Sequence, residues 1–368
     1  MLSKFSVRNF KGFKEEITFD LQNTHKYNFN NECIKDGLVN QALVYGYNGS
    51  GKSNLGLAIF DIIVHLTDKN RNTHLYTPYQ HAQNTGDYTF FTYEFKFDNH
   101  HVVYKYGKID YEVLIFEEFS IDGQVCVSLD RPKEEATVKL EGAENLKTNL
   151  TNPRLSLLKY ILNNTELADN EINRCFKQFF HFVNHMLFFR SLHQNEYLGL
   201  EIGSRNIYAD IIEQNQVKDF ESFLHDAGIN YMLCVVKESE EETIAVDFGG
   251  KKIALHLLAS SGTQALSLFY YWLQRLQAAQ VSFLFLDEFD AFYHHELSAF
   301  IVRRLKEMDI QSVITSHNTS IMSNDLLRPD CYFFLKNGKI HSLAKLTNKE
   351  LREAHNIEKM YKAGTFDE

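Results

Sequence analysis

The residues whose types and spacing most clearly suggest chemistry lie in the glycine-rich stretch 46–53, GYNGSGKS. The stretch fits the pattern G-x-x-x-x-G-K-[ST] at every fixed position. Glycines let backbone N–H groups approach a phosphate, the lysine reaches the β- and γ-phosphate oxygens, and the serine hydroxyl is a ligand of Mg²⁺. The stretch therefore predicts a binding site for ATP with Mg²⁺.

The flanking residues supply the elements that such a loop needs. Residues 41–45 (QALVY) predict a buried strand, and apolar side chains after residue 54 recur at helical spacing. A helix that follows the loop directs its positive end at the anion. We expect nucleotide contacts from the loop and from the first helical residues, which are Gly46, Asn48, Gly49, Ser50, Gly51, Lys52, Ser53 and Asn54.

A second candidate for nucleotide chemistry is the stretch 283–288, FLFLDE, in which four apolar residues precede two carboxylates. Alone, it would indicate only a buried strand that ends in solvated acids. Beside the glycine loop, it predicts that Asp287 holds, through water, the Mg²⁺ that Ser53 ligates. Glu288 is then expected to orient or deprotonate the attacking water.

Two weaker motifs complete the set. Residues 259–266 (ASSGTQAL) place a serine and a glycine where a helix begins, which alone is ordinary capping. Residues 311–318 (QSVITSHN) indicate a short strand ending near a histidine, and a lone histidine is usually a surface or core residue. Their order along the chain gives both motifs more weight.

That order, GYNGSGKS, SSGTQ, FLFLDE and ITSHN, resembles the ABC-type ATPase head shared by SMC proteins, RecF-type repair proteins and the OLD family. The resemblance implies an α/β fold of the P-loop NTPase class. It also implies that Ser261 and Gly262, in a loose form of the LSGGQ signature, bind the γ-phosphate of a nucleotide held by a second subunit. His317 becomes the switch histidine, so the implied catalytic residues are Lys52, Glu288 and His317.

The amino-terminal residues 5–13 (FSVRNFKGF) look like the first strand and turn of the same group, usually I-x-N-F-K-x-F. In relatives this turn lies near the adenine or the ribose. Arg8, Asn9 and Lys11 are therefore candidate contacts on the base side of the nucleotide.

The resemblance also implies two loops around the nucleotide. A glutamine that senses the γ-phosphate should precede the antiparallel sheet, and both Gln80 and Gln83 are candidates. Asp290 falls where a D-loop would cross a dimer interface.

The segment between the glycine loop and the signature lacks heptads, so we expect an ATPase head without coiled-coil arms. Residues 89–129 alternate as strands and predict an antiparallel β lobe, and residues 153–183 hold enough apolar positions for two or three short helices. We predict an N-terminal ATPase lobe over 1–150, an inserted helical lobe over 151–235 and a C-terminal ATPase lobe over 236–368.

Composition limits the partners and the compartment. The 368 residues carry a net charge of −10, which counts against wrapping of a phosphate backbone. The five cysteines are scattered and form no C-x-x-C pair, which favours a reducing compartment over a disulfide framework or a zinc site. No apolar run is long enough to span a membrane, and the N-terminus lacks a signal peptide, so we expect a cytoplasmic protein with no membrane partner.

Residues 356–366 (NIEKMYKAGTF) resemble the end of stand-alone bacterial ATPases that are encoded beside a partner gene in anti-phage systems, such as PARIS, Septu and retron systems. The first hypothesis is therefore an ATP-hydrolysing sensor or scaffold. It would act as an ATP-sandwiched homodimer or larger assembly and would control a separate effector encoded nearby until a phage-derived trigger arrives.

Two alternatives remain. A RecF-like DNA-repair ATPase would need a basic groove for DNA, against which the net charge counts, and binding of nucleic acid stays open. A non-catalytic module that keeps ATP as a structural ligand is disfavoured by the intact Lys52, Asp287 and Glu288. Too few residues follow His317 for the Toprim domain of an OLD nuclease, so no nuclease is expected within this sequence.

Overall fold

The computed structural model of the protein describes residues 1–22, 24–67, 69, 73–84, 86–148, 151–190, 196–199, 207–238, 241–278, 281–290 and 295–366. Its strands are β1 (Leu2–Arg8), β2 (Ile17–Asp20), β3 (Ile34–Lys35), β4 (Leu38–Val39), β5 (Gln41–Tyr45), β6 (Thr89–Phe97), β7 (His100–Lys108), β8 (Leu114–Ile121), β9 (Gln124–Asp130), β10 (Glu135–Val138), β11 (Met186–Arg190), β12 (Glu196–Gly199), β13 (Leu233–Glu238), β14 (Glu241–Asp247), β15 (Lys252–Ala254), β16 (Phe283–Asp287), β17 (Gln311–Ser316), β18 (Tyr332–Lys336) and β19 (Lys339–Ser342). Its α-helices are α1 (Lys52–Phe60), α2 (Ile62–Leu66), α3 (Leu157–Asn164), α4 (Glu171–Asn184), α5 (Ile207–Glu213), α6 (Val217–Asp226), α7 (Leu255–Leu258), α8 (Ser261–Ala278), α9 (His295–Lys306) and α10 (Ile357–Lys362).

The central sheet brings three of the four sequence motifs to one edge. Its strand order is β12-β11-β16-β17-β5-β18-β19, and β11, β16, β17, β5 and β18 run parallel. The strands β5, β16 and β17 are buried along their whole length, as expected for parallel strands covered on both faces. The glycine loop, Glu288 and His317 each follow one of these strands, so they meet at the carboxyl edge of the sheet.

A second, antiparallel sheet has the order β10-β9-β8-β7-β6-β1-β2. It confirms the antiparallel lobe, and the buried residues of β6 alternate as the sequence pattern indicates. The Gln311 amide ties this sheet to the central one, because it accepts from Leu2 N at 2.8 Å and donates to Leu2 O at 2.7 Å.

Helices α3 and α4 occupy the segment for which the sequence indicates two or three short helices. The apolar side of α4 packs on the antiparallel sheet, with Phe95 at ring-centroid distances of 5.2 Å from Phe182 and 5.5 Å from Phe179. The interval 151–235 holds α3 to α6, but it also holds β11, which pairs with β16 of the central sheet. The three lobe boundaries remain a prediction.

The longest helix among the described residues is α8, with 18 residues. The described chain therefore contains no coiled-coil arms, as the sequence predicts. Among the same residues, no helix combines the length and the apolar character needed to cross a membrane.

Candidate nucleotide site

The glycine loop joins β5 to α1 with a geometry that excludes side chains at two positions. A Cβ atom at Gly46 would lie 2.3 Å from Ser50 Oγ and 2.8 Å from Leu335 O. Gly51 has a φ of 106°, and a Cβ atom there would lie 2.9 Å from the ring of Phe13. Both positions therefore need glycine, which explains the fixed positions of the motif.

Lys52, the first residue of α1, folds back over the loop. Its Nζ donates to Gly46 O at 2.8 Å and to Tyr47 O at 3.3 Å. Burial lowers the pKa of Lys52, while the charges of Glu288 and Asp287 act to raise it. The ammonium thus lies within the loop and interacts electrostatically with the carboxylates at the end of β16.

At the end of β16, a single hydroxyl connects the two acidic residues. Thr315 Oγ1 donates to Asp287 Oδ1 at 2.8 Å and accepts from Glu288 N at 2.8 Å. Asp287 and Thr315 are both buried, and Glu288 has a φ of 47°. The turn after β16 is therefore fixed by a residue of β17.

The next residue of β17, Ser316, binds Asp290 and the backbone that follows His317. Ser316 Oγ donates to Asp290 Oδ2 at 2.6 Å and accepts from Asn318 N at 2.8 Å. Asp290 is buried, and burial raises its pKa while the charge of His317 acts to lower it. The D-loop candidate is thus bonded within its own chain, whereas the switch candidate His317 is exposed beyond the strand.

Arg190 was not among the site residues expected from the sequence, yet it lies beside Asp287 in the central sheet. Arg190 on β11 is in register with Asp287 on β16, as Phe188 is with Phe285 two residues earlier. A Cβ atom at Gly56 of α1 would lie 2.7 Å from both of these phenylalanine rings. Because side chains alternate along a strand, Arg190 and Asp287 share the sheet face that α1 covers.

Arg190 is also electrostatically linked to Lys11. Burial lowers the pKa of Lys11, and the charge of Arg190 lowers it further. The apolar run MLFF before Arg190 indicates a buried strand, but it directly follows a helical pattern, so the sequence alone does not predict this strand. Thr315 was missed because threonine is ordinary in a strand.

The amino-terminal turn lies directly on the glycine loop. Phe10 and Phe13 exchange backbone hydrogen bonds of 2.9 and 2.7 Å, and the Phe13 ring contacts the loop at Gly51. A Cβ atom at Gly12 would lie 3.0 Å from Asn54 Nδ2. The turn that the sequence relates to nucleotide binding is therefore in contact with the loop and with the start of α1.

The three base-side candidates of this turn differ in how they are engaged. Asn9 Nδ2 donates to Tyr88 O at 2.9 Å, and its Oδ1 accepts from His81 N at 3.2 Å, so its amide holds the loop before β6. Arg8 is exposed, with its guanidinium 4.5 Å from the Phe90 ring centroid. Lys11 is partly buried. Contact of these residues with a base stays a prediction.

The signature candidates lie at the start of α8. Ser260 caps the helix, since its Oγ accepts from Thr263 N at 3.2 Å and its O accepts from Gln264 N at 2.9 Å. Ser261 is exposed and Gly262 is partly exposed. Neither of them is the cap, so their polar groups remain accessible at the positive end of the helix.

Gln80 and Gln83 both remain candidates for the glutamine that senses the γ-phosphate. Gln80 Nε2 donates to Asp87 O at 3.2 Å, and its Oε1 accepts from Asn84 Nδ2 at 3.1 Å. Gln83 is exposed, and its backbone N donates to His81 Nδ1 at 3.1 Å.

The residues present fit a nucleotide phosphate and Mg²⁺. The buried Ser50 Oγ has no hydrogen-bond partner among the described residues, and the Lys52 ammonium donates to loop carbonyls that a phosphate could replace. Ser53 and Asp287 supply the hydroxyl and carboxylate oxygens that Mg²⁺ prefers. Thr315 already fixes one of the two Asp287 oxygens.

Comparison with known proteins identifies a family for most of the chain. Residues 42–323 match the family described as "AAA domain, putative AbiEii toxin, Type IV TA system". The chain belongs to this family of P-loop ATPases. No functionally curated protein matches the sequence.

Solved structures similar to the chain include heads of SMC proteins. The SMC head domain from Thermotoga maritima has 14% identity and a TM-score of 0.45, with 93% of this chain and 98% of that chain covered. An SMC head bound to the C-terminal winged-helix domain of ScpA has 15% identity and a TM-score of 0.49, with 94% and 98% covered. The head with an extended coiled coil from Pyrococcus furiosus has 14% identity and a TM-score of 0.46, with 94% and 97% covered.

Proposed function

We propose that this protein hydrolyses ATP with the residues at the carboxyl edge of its central sheet. One observation carries the proposal: the parallel strands β5, β16 and β17 bring the glycine loop, with the Lys52 ammonium inside it, to the same edge of the sheet as Asp287 and Glu288. A cation for the phosphates, a carboxylate for Mg²⁺ and a carboxylate for water are what phosphoryl transfer requires.

The residues then have separate tasks. Lys52 and the loop N–H groups bind the phosphates, and Ser53 and Asp287 hold Mg²⁺. When bound, Mg²⁺ offsets negative charge on the phosphates. Glu288 orients the water or takes its proton, and His317, exposed at the end of β17, faces the γ-phosphate.

We further propose that two copies share each site. Ser261 and Gly262 of one copy would complete the site formed by the other copy. The accessibility of Ser261 at the start of α8 supports this arrangement, because an exposed helix N-terminus can donate N–H groups to an anion. Hydrolysis would then report assembly of the dimer or larger oligomer.

The biological role that we propose is a sensor or scaffold subunit of an anti-phage system. It would control a separate effector, encoded nearby, until a phage-derived trigger arrives. The family description supports a role in a system of several components, since it names a putative toxin of a toxin–antitoxin system.

The test of the hydrolytic site compares the wild type with Glu288→Gln and Lys52→Ala. We expect Glu288→Gln to bind ATP but to release phosphate at least about a hundredfold more slowly, as for loss of a general base. Lys52→Ala should lose ATP binding. Glu296→Gln, an exposed carboxylate near the start of α9, is the matched control and should behave as the wild type. Normal turnover by Glu288→Gln would refute the assignment of the base.

The assembly is tested by the mass of the wild type and of Glu288→Gln in solution, with and without ATP. We expect ATP to produce a dimer or larger species that Glu288→Gln retains. A pull-down from cells that carry the neighbouring gene should recover its product. Binding of DNA that falls steeply with salt, without a protein partner, would instead favour the RecF-like alternative.

A further inference from the structure

The hydroxyl of Thr315 joins the two acidic residues at the end of β16. It donates to Asp287 Oδ1 and accepts from Glu288 N, each at 2.8 Å. A hydroxyl has one proton and two lone pairs, so a single side chain can hold both residues. Thr315 has no exposed surface, and Asp287 is 3% exposed, so water cannot readily replace either bond.

For Asp287, the consequence is a fixed carboxylate. The hydroxyl proton of Thr315 occupies Oδ1, so the plane of the carboxylate cannot rotate without breaking a buried hydrogen bond. Each carboxylate oxygen has two lone pairs, so the carboxylate can still accept from another group. A carboxylate held in this way has a fixed orientation on the side of the sheet covered by α1.

For Glu288, the consequence is a fixed backbone. Glu288 has a φ of 47°, in the left-handed region that residues other than glycine rarely adopt. Its N–H donates a hydrogen bond to Thr315 Oγ1, so the threonine anchors the turn in this conformation. The direction in which the Glu288 side chain leaves the turn depends on that backbone.

Other buried hydroxyls on β17 bind other residues. Ser312 Oγ donates to Gln41 Oε1 on the neighbouring strand, and Ser316 Oγ donates to Asp290. Neither contact involves Asp287 or Glu288. Valine would fill the volume of Thr315 but would leave the Glu288 N–H and Asp287 Oδ1 without this partner in a buried site.

We propose that Thr315 is a positioning residue, which orients the Asp287 carboxylate for Mg²⁺ and the Glu288 backbone for the attacking water. The inference rests on the proposed function of the site. Thr315 acts through its two partners and does not itself contact nucleotide. Its loss should therefore separate Mg²⁺-dependent steps from binding of the triphosphate by the glycine loop.

The experiment compares Thr315→Val, Thr315→Ser and the wild type, with Ser312→Ala as a matched loss of a buried hydroxyl on the same strand. Binding of a fluorescent ATP analogue is measured in EDTA and across a Mg²⁺ titration, beside phosphate release and the melting temperature. We expect Thr315→Val to raise the Mg²⁺ concentration at which the effect of Mg²⁺ on nucleotide binding is half-maximal. It should also slow phosphate release by about 10- to 100-fold, the usual cost of losing a group that orients a metal ligand. Binding in EDTA should not change.

Rescue distinguishes positioning from a structural role. Thr315→Ser keeps the hydroxyl and should restore the Mg²⁺ dependence, whereas Ser312→Ala should leave it at the wild-type value. If Thr315→Val does not fold, Thr315→Cys, whose thiol is a weak hydrogen-bonding group, replaces it. A wild-type Mg²⁺ dependence and turnover in the folded variant would overturn the inference, as would a defect that serine does not rescue.

The same data separate this inference from the proposed function. A wild type that binds Mg²⁺ and ATP without releasing phosphate would overturn hydrolysis, while the Mg²⁺ titration would still decide the role of Thr315. A wild type that binds no nucleotide would overturn both.

Discussion

Asp61 and Lys108 form an ion pair of 2.7 Å between the end of α1 and the antiparallel sheet, and both side chains are fully buried. Tyr79 OH and Tyr106 OH each donate to the Asp61 carboxylate at 2.9 Å. Burial lowers the pKa of Lys108, and the charge of Asp61 opposes this shift. The helix that begins at the glycine loop is therefore anchored at its other end to the lobe of β6 and β7.

Breaking this pair should destabilise the protein strongly. We expect Lys108→Met to lower the free energy of unfolding by about 3–5 kcal/mol, because Asp61 would be left as a buried charge without its cation. The measurement is urea denaturation followed by circular dichroism. The control is Lys105→Met. Lys105 lies on the same strand as Lys108, and its exposed ion pair with Glu118 of β8 should contribute less than about 1 kcal/mol.

A double variant makes the first prediction sharper. Asp61→Asn combined with Lys108→Met should be more stable than Lys108→Met alone, since the uncompensated charge is removed. The single variant Asp61→Asn is measured as well. If the losses of stability in Asp61→Asn and Lys108→Met add up to the loss in the double variant, the pair does not couple α1 to the sheet.

The glycine loop should tolerate no side chain at its first position. Gly46→Ala would place a methyl group 2.3 Å from Ser50 Oγ and 2.8 Å from Leu335 O. We expect this variant to lose ATP binding, measured by equilibrium titration with a fluorescent analogue. Gly250→Ala adds the same methyl group where no atom lies within 4 Å and should bind as the wild type. Equal affinities for the two variants would contradict the loop geometry.

The sequence predicted the elements that carry the motifs because their signals are local. An apolar run, a glycine turn and a helical period are each complete within a short window, as in residues 41–60. Strands β5, β16 and β17 and helices α1 and α8 form where these patterns lie. Their convergence also follows, because parallel strands place their carboxyl ends at one edge.

The remaining features depend on contacts between distant segments. Arg190 belongs to the site because β11 pairs with β16, and nothing near Arg190 in the sequence indicates that partner. For Asn9, contact with the base stays a prediction from the family motif. The structure adds that its amide bonds to Tyr88 O and His81 N, which only the folded chain brings close.

Stability should depend on pH through His100. Hydrogen bonds to Asp122 at 2.7 Å and to Glu171 at 3.1 Å raise the pKa of His100 above its ordinary value of 6.5. A pKa that is higher in the folded state than in the unfolded state adds stability below the unfolded value, and this stability is lost as the pH rises through the folded value. The contribution should therefore be present at pH 6 and absent at high pH.

Urea denaturation between pH 5.5 and 8.5 tests this expectation. His100→Gln should remove about 0.2–1 kcal/mol at the acidic end, the range for partly exposed ion pairs, and little at the alkaline end. His256→Gln, on the exposed side of α7, is the control for loss of a histidine. A difference between His100→Gln and the wild type that does not change with pH would exclude the charged histidine as its source.

The proposed sharing of sites between two copies makes a prediction that no monomeric mechanism makes. Lys52→Ala disables the glycine loop of its own chain, and Ser261→Arg should block the accessible start of α8 that serves the other chain. Each variant alone should form only defective sites. In a mixed dimer both lesions fall in one site, so the other site is intact. Random mixing should therefore restore about one quarter of the wild-type rate of phosphate release, since about half of the dimers are mixed and each has one working site of two. Phosphate release that stays at the level of the separate variants, in a mixture whose subunits are shown to exchange, would mean that Ser261 does not serve the neighbouring nucleotide.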